Sequence, residues 1–407
     1  MSNTLNLGTD GNWGVKKDSL LGYNSENGNY KPLPFDFTRA SSATVVNKAG
    51  LIETVGSGEP RIDFKDDAKG ALLLEPQRTN NLLQSNQFDT TWSTSNVSLT
   101  SGQGGIGGSS NAWLYTITDP THHLSQNVSS ATTNVFSIYA KANSADGIVL
   151  RLVGAPNNPY IFYSLLDGTY VGTGGGGGIN PSSQPVVNMG NGWYRFQINA
   201  TGLTQVYIYG GTSLGTFATN GSIYIQNAQV EQGSYATSYI PTQGSAVTRS
   251  ADICNNGGNE QVINSTEGVL YLEGSALDNP TSQEIALSVS EGQSGVNRLL
   301  IRMKTNGRIG IVLRVANTTE ASIDSGVLDQ SVNHKVAVKW KVNDIALWID
   351  GVEVGTESSA NVFSANTLDE VSFNQGNNSN QFYGNTKDVR VYDTALTDSE
   401  LQQLTTI

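Results

Sequence analysis

Residues 297–315 read NRLLIRMKTNGRIGIVLRV. Leu299, Ile301 and Met303 share one face of an extended chain, with Leu300, Arg302 and Lys304 on the other. Asn306-Gly307 then supplies a turn at positive φ, and Ile309, Ile311, Leu313 and Val315 return along one face. Apolar residues every second position on both sides of an Asn-Gly pair specify a β-hairpin. The next segment, HKVAVKWKVNDIALWIDGVEV (334–354), repeats the pattern twice. Val336, Val338, Trp340 and Val342 fall together, Asn343-Asp344 turns the chain, Ile345, Leu347 and Ile349 follow, and Asp350-Gly351 turns it into Val352 and Val354. The expectation is a meander of three antiparallel strands.

The middle of the chain alternates in the same way, in VFSIYAK (Phe136, Ile138, Ala140), GIVLRLV (Ile148, Leu150, Leu152) and WYRFQIN (Tyr194, Phe196, Ile198). A helical signal is confined to LTDSELQQL near the C-terminus. There Thr397 and Glu400 have capping-box spacing, and Leu401 and Leu404 lie on one side. Short strands separated by turn signals predict an all-β protein built of antiparallel sandwiches.

At 407 residues, about 2–3 domains are expected. Pattern breaks near Asn80-Asn81 and over residues 240–250 (IPTQGSAVTRS) divide the chain into an irregular, β-rich region 1–80, a sandwich 81–246 and a second sandwich 247–407. Glycine is abundant (45 residues) and charge sparse (14 %), in keeping with many turns and polar, uncharged sheet faces. The net charge of −12, with no Lys/Arg cluster, disfavours nucleic acid and anionic lipid as partners. No apolar run approaches the ~20 residues of a membrane helix, and the start MSNTLNLGTDGNWG has no secretory-leader pattern. One cysteine, Cys254, excludes an intrachain disulfide and a multi-cysteine zinc site.

Catalytic motifs are missing. The three histidines, His122, His123 and His334, sit in a polar turn or at a strand start. There is no His-Glu-x-x-His, Gly-x-Ser-x-Gly or Gly-Lys-Ser/Thr. The glycine run 174–178 lacks the lysine and helix of a phosphate loop. Sandwich glycosidases place paired acids on one strand face, and neither DVRVYD (388–393) nor Asp369-Glu370 does so. The expectation is a non-enzymatic protein.

Neutral sugars are bound by flat rings and polar side chains, so aromatics opposite an aliphatic strand face are the binding candidates. GWYRFQINA leaves Trp193 and Arg195 there, QVYIYG leaves Tyr207 and Tyr209, and SIYIQNAQV leaves Tyr224 and Gln226. If these strands are neighbours, the six form one carbohydrate-binding face. Trp348, opposite Ile345, Leu347 and Ile349, is a separate candidate. No cofactor is required. A structural Ca2+ is allowed, with Glu231 and Asp89 as its candidate ligands.

Three segments carry family resemblances. FDFTRASSATVVNKAGLIETVGSGEPRIDF (35–64) with GALLLEPQRTNNLL (70–83) resembles a module of bacteriophage head-fibre and tail proteins. NNLLQSNQF, FSIYAKA, NGWYRFQI and AQVEQGSYATSYIPT, between residues 80 and 242, resemble a jelly-roll carbohydrate-binding domain. GVLYLEG, HKVAVKWKVNDIALWIDGVEV and NTKDVRVYDTALTDSELQQL, between 268 and 404, resemble concanavalin A-like (laminin-G-like) lectin domains. The resemblance implies a receptor-binding or decoration protein of a virion, made in the host cytoplasm and displayed on the particle. Residues 1–80 would anchor it to capsid or tail proteins, and the sandwiches would attach to host-surface glycan, commonly as a homotrimer. A purely architectural protein and a polysaccharide depolymerase are the alternatives.

Overall fold

The computed structural model describes residues 3–30, 33–128, 130, 132–175, 179–180 and 184–407; residues 176–178 of the glycine run lie outside them. Among the described residues the protein is all-β apart from two short 3-10 turns and one C-terminal helix. It forms two compact units: Met1–Ser42 with Val55–Pro76 and Ala251–Ile407, and Ala43–Thr54 with Gln77–Ser250. The second unit thus interrupts the first along the chain.

In the discontinuous unit the hairpin forms as its alternation requires. Arg298–Met303 pairs with Arg308–Val315, placing Leu299 opposite Leu313, Ile301 opposite Ile311 and Met303 opposite Ile309, all buried. Gly307, at φ 75°, takes the left-handed position in the turn. These strands belong to a five-stranded sheet. The meander His334–Lys341, Ile345–Ile349 and Val352–Glu357 belongs to an eight-stranded one, together with Glu267–Ala276 and Gly384–Tyr392. The inner faces of both sheets share one apolar core. Outside the larger sheet, the helix Asp398–Thr405 carries the expected capping box and buries Leu401 and Leu404.

The chain divides differently from the sequence expectation. The strands Leu5–Leu7, Ile62–Asp63 and Ala71–Leu74 join the eight-stranded sheet, through Gly384–Tyr392. Leu5, Leu7, Leu20, Phe35, Phe37, Leu72 and Leu74 lie in the shared core. The first 80 residues are therefore mostly part of the C-terminal sandwich. Strands of two to four residues cannot bury a face alone, so they complete a sheet whose other strands arrive some 300 residues later.

A buried ion cluster ties these distant segments. Asp252 accepts from Arg39 Nη1 at 3.0 Å through one oxygen, and through the other from Arg61 Nη2 and the Glu75 backbone N–H at 2.8 Å. Arg61 Nη1 also pairs with Glu75 at 2.6 Å. Burial pulls the Arg61 pKa down, but Asp252 and Glu75 more than compensate and hold it above the ordinary arginine value.

The second unit is a sandwich of two six-stranded sheets around one core. One sheet contains Tyr194–Thr201 and Gly221–Gln232; the other contains Gln205–Gly211, Gly147–Val153 and Tyr160–Ser164. Arg78–Asn80 and Val247–Arg249 pair with each other, so this unit is entered and left side by side.

Candidate functional site

The strand Gln205–Gly211 decides where the site lies. Val206 and Ile208 point into the core, which turns Tyr207 and Tyr209 to the outer face of their sheet. In register across that sheet, Tyr207 faces Arg151, and Arg151 faces Tyr160 on the next strand. Tyr209 faces Val149, and Val149 faces Phe162. His123 lies next to Tyr209 on the opposite flank, and Phe217 comes over the sheet from the loop after Gly211.

The rings form one connected patch. His123 and Tyr207 centroids are 5.0 Å apart. Tyr207 and Tyr209 lie nearly parallel at 5.9 Å. Tyr209 meets Phe217 edge-on at 5.1 Å, and Phe217 meets Phe162 at 5.2 Å and Tyr160 at 5.7 Å. Phe217 is 38 % exposed, and His123, Arg151, Tyr160, Tyr207 and Tyr209 are partly exposed. Fully buried Val149 lies between Phe162 and Tyr209 as part of the floor. The loop bearing Phe217 is anchored by Asp146, which accepts the Ser213 backbone N–H at 2.9 Å and hydroxyl at 2.7 Å. Those two hydrogen bonds hold the Asp146 carboxyl below the ordinary range.

The polar atoms of the patch suit hydroxyl-rich ligands. Tyr207 donates to Gln205 Oε1 at 3.0 Å, and Arg151 Nη1 reaches the Tyr209 hydroxyl only at 3.5 Å. Burial raises the Tyr209 pKa. Burial, then the nearby charges of His122 and Arg151, hold His123 below the ordinary histidine range, so its ring is neutral at pH 7. A neutral imidazole, two phenols and a guanidinium set among flat rings give hydrogen-bond donors and acceptors beside surfaces for C–H faces.

The structure separates the six residues expected on one face. Trp193, Arg195, Tyr224 and Gln226 belong to the other sheet, because successive strands of this sandwich cross between sheets. There Trp193 is only 2 % exposed, enclosed by Ile106, Ala112 and Tyr139, and Tyr224 packs on the same cluster. Gln226 is buried, its Oε1 accepting the Ile106 N–H at 3.1 Å. Arg195 lies over the Tyr139 ring at 5.2 Å and donates to Thr237 O at 2.7 Å and Ser137 Oγ at 2.9 Å. These four are packing and strapping groups. Trp348 is likewise covered, packed with Leu396, Leu401 and Leu404 beneath the C-terminal helix.

The metal candidates also part. Glu231 is fully buried, accepting from Gln229 Nε2 at 2.6 Å and from the Thr237 N–H and hydroxyl at 2.8 and 2.6 Å. Asp89 is exposed in a turn and accepts from Gln87 at 2.6 Å. Among the described residues no cluster of three His, Cys, Asp or Glu side chains forms a metal site.

Two features escaped the sequence reading. His123 is a sheet residue on the patch, while His122 is buried, its Nε2 accepting the Gly210 N–H at 3.0 Å. In the other unit, Glu273 and Asp388 stand directly opposite each other across neighbouring strands. All four of their carboxylate oxygens are engaged: Glu273 by Asn333 and Tyr271, Asp388 by Thr9 and Arg390. Burial nevertheless raises the Asp388 pKa.

Comparison with known proteins places part of the chain. Residues 276–402 match the model of the Concanavalin A-like lectin/glucanases superfamily. The C-terminal sandwich is thus concanavalin A-like in sequence as well as in fold. No curated protein matches the chain. Among solved structures, the chain is similar to the CBM40 of the Ruminococcus gnavus IT-sialidase, at 20 % identity and a TM-score of 0.31 over 37 % of this chain and 93 % of that one. The same module bound to alpha2,3 sialyllactose gives 22 % and 0.30 over 35 % and 83 %. A heptameric SAP-like pentraxin from Limulus polyphemus gives 15 % and 0.28 over 34 % and 70 %.

Proposed function

We propose that this protein is a glycan-binding protein that acts without catalysis, and that its contact surface is the aromatic patch built on Tyr160, Tyr207, Tyr209 and Phe217. The connected, partly exposed rings on one open sheet face carry the reading. The lectin-like second sandwich is in keeping with it. The non-catalytic role is in keeping with the missing catalytic motifs of the sequence. Display on a phage particle, with host-surface glycan as the target, capsid or tail proteins as neighbours and a homotrimer as the assembly, is part of the proposal. It rests on the resemblance of the N-terminal segments alone. In a trimer, three patches would compensate for weak single-site sugar affinity.

The test is a glycan array probed with the full chain, alongside a Tyr207→Ala/Tyr209→Ala double variant. Loss of two neighbouring rings lowers affinity for the bound glycans by roughly a hundredfold, about tenfold per ring. Absence of binding to any glycan would leave an architectural role. Release of reducing ends from a bound polysaccharide would make the protein a depolymerase.

A further inference from the structure

The sheet that carries the aromatic patch has an unusual charge count. Its six strands, Ser93–Ser95, His123–Asn127, Gly147–Val153, Tyr160–Ser164, Tyr170–Gly174 and Gln205–Gly211, contain no Asp, Glu or Lys and a single Arg. In a chain with 35 acidic residues and a net charge of −12, Arg151 is the one formal charge of this sheet. It stands mid-row, between Tyr207 and Tyr160.

Arg151 has no carboxylate partner among the described residues. Among the described residues its one hydrogen bond is the long one to the Tyr209 hydroxyl, and its Nε is buried without an acceptor there. Other arginines find different partners: Arg39 and Arg61 meet Asp252, Arg390 meets Asp388, and buried Arg298 donates to the Gln375 carbonyl at 2.8 Å. Two acids in the loops that join these strands are engaged elsewhere, Asp146 by Ser213 and Asp167 by Thr169. A half-buried guanidinium without a counter-charge is costly unless something else supplies one.

We infer that the patch selects glycans whose sugar units carry a carboxylate, with Arg151 as the group that reads it. The inference rests on the glycan-binding reading and deepens it. A carboxylate is favoured over a sulfate or phosphate ester because there is one cation and one planar fork. A single fork satisfies both oxygens and the single charge of a carboxylate, whereas a sulfate or phosphate ester leaves at least one oxygen beyond that fork. The rings on both sides hold the sugar while the guanidinium takes its acid. His123, being neutral, adds no second charge.

The test uses the full chain with polygalacturonate, alginate and hyaluronate, each paired with its carboxyl methyl ester, so that only the charge changes. The expected result is binding to at least one acid form roughly tenfold tighter than to its ester. That preference disappears in Arg151→Gln, and shrinks with added salt. Tyr209→Ala weakens acid and ester alike. Folding of each variant is checked by its thermal midpoint. Equal affinity for acid and ester, binding only to neutral glycans, or a preference surviving in Arg151→Gln overturns the inference while leaving glycan binding standing. No binding to these probes or to an array overturns both.

Discussion

Replacing Asp252 by Asn tests what holds the discontinuous unit together. The substitution keeps the shape of the side chain and removes its charge. In the native cluster two guanidiniums, Arg39 and Arg61, are balanced by two carboxylates, Asp252 and Glu75, and the Arg39, Arg61 and Asp252 side chains have no solvent exposure. With asparagine in place, one oxygen remains for three donors, and two cations are left with one anion in a closed site. Breaking a buried pair by removing one partner costs about 3–5 kcal/mol. For a domain of roughly 150–250 residues, each kcal/mol lowers the midpoint by about 2–4 °C, so a drop of roughly 6–20 °C is expected. Differential scanning calorimetry of the full chain measures it. A midpoint within 2 °C of the parent would refute the reasoning, since the cluster would then be screened by water or replaceable. An Arg61→Met/Asp252→Leu pair should recover part of the loss, because apolar groups need no counter-charge.

Other expectations follow from individual contacts. Trp193→Ala should destabilise its unit by about 3–5 kcal/mol through the cavity it leaves, with no selective loss of glycan affinity in the variant that remains folded; urea titration and array binding separate the two. Glu231→Gln should cost about 1–3 kcal/mol by disturbing acceptors for Gln229 and Thr237, and the denaturation midpoint should move by the same amount with or without added Ca2+. Acidification should loosen the loop that carries Phe217. The Asp146 pKa is lowered by its bonds to Ser213, so the anchoring is complete above the ordinary carboxylate pKa and is lost as pH falls through the lowered folded value. Faster amide exchange at Ser213 in that acid window, absent in Asp146→Asn, is the readout, and a pH-independent exchange pattern would rule the anchor out.

The strands were legible wherever one face is buried and the other polar. In 297–315 a slip of one residue would expose Leu299, Ile301 and Met303 together, so periodicity fixes both strands and their register. The helix was legible from Thr397 and Glu400 because a capping box is local chemistry. Assignment of strands to sheets was not local. Tyr194–Thr201, Gln205–Gly211 and Gly221–Gln232 follow one another in sequence yet alternate between sheets, which scattered the expected sugar face. Tyr207 and Tyr209 remained on the patch, but Trp193 was covered by Ile106 and Ala112, far away in sequence. Arg151, Tyr160 and Phe162 carry no local sign of a shared face, and only lateral register brings them beside Tyr207 and Tyr209. Apart from Pro34–Thr38, where Phe35 and Phe37 alternate into the core, the N-terminal strands were too short for a period to appear.

The pairing of Arg78–Asn80 with Val247–Arg249 bears on the order of folding. The early strands of the interrupted unit leave the ribosome long before their partners beyond residue 251 exist. Until then Leu5–Leu7 and Ala71–Leu74 lack Gly384–Tyr392, the strand that ties both into the sheet. The inserted sandwich, once collapsed, converts a loop of more than 170 residues into a short tether, because its two ends emerge together. Most of the entropy of closing that loop is then already spent by the insert's own core. Glu75 and Asp252 are delivered next to each other, with the Asp252 N–H bonded to the Glu75 carbonyl at 3.0 Å. Mutations that slow collapse of the insert should therefore delay maturation of a unit to which they contribute no residue.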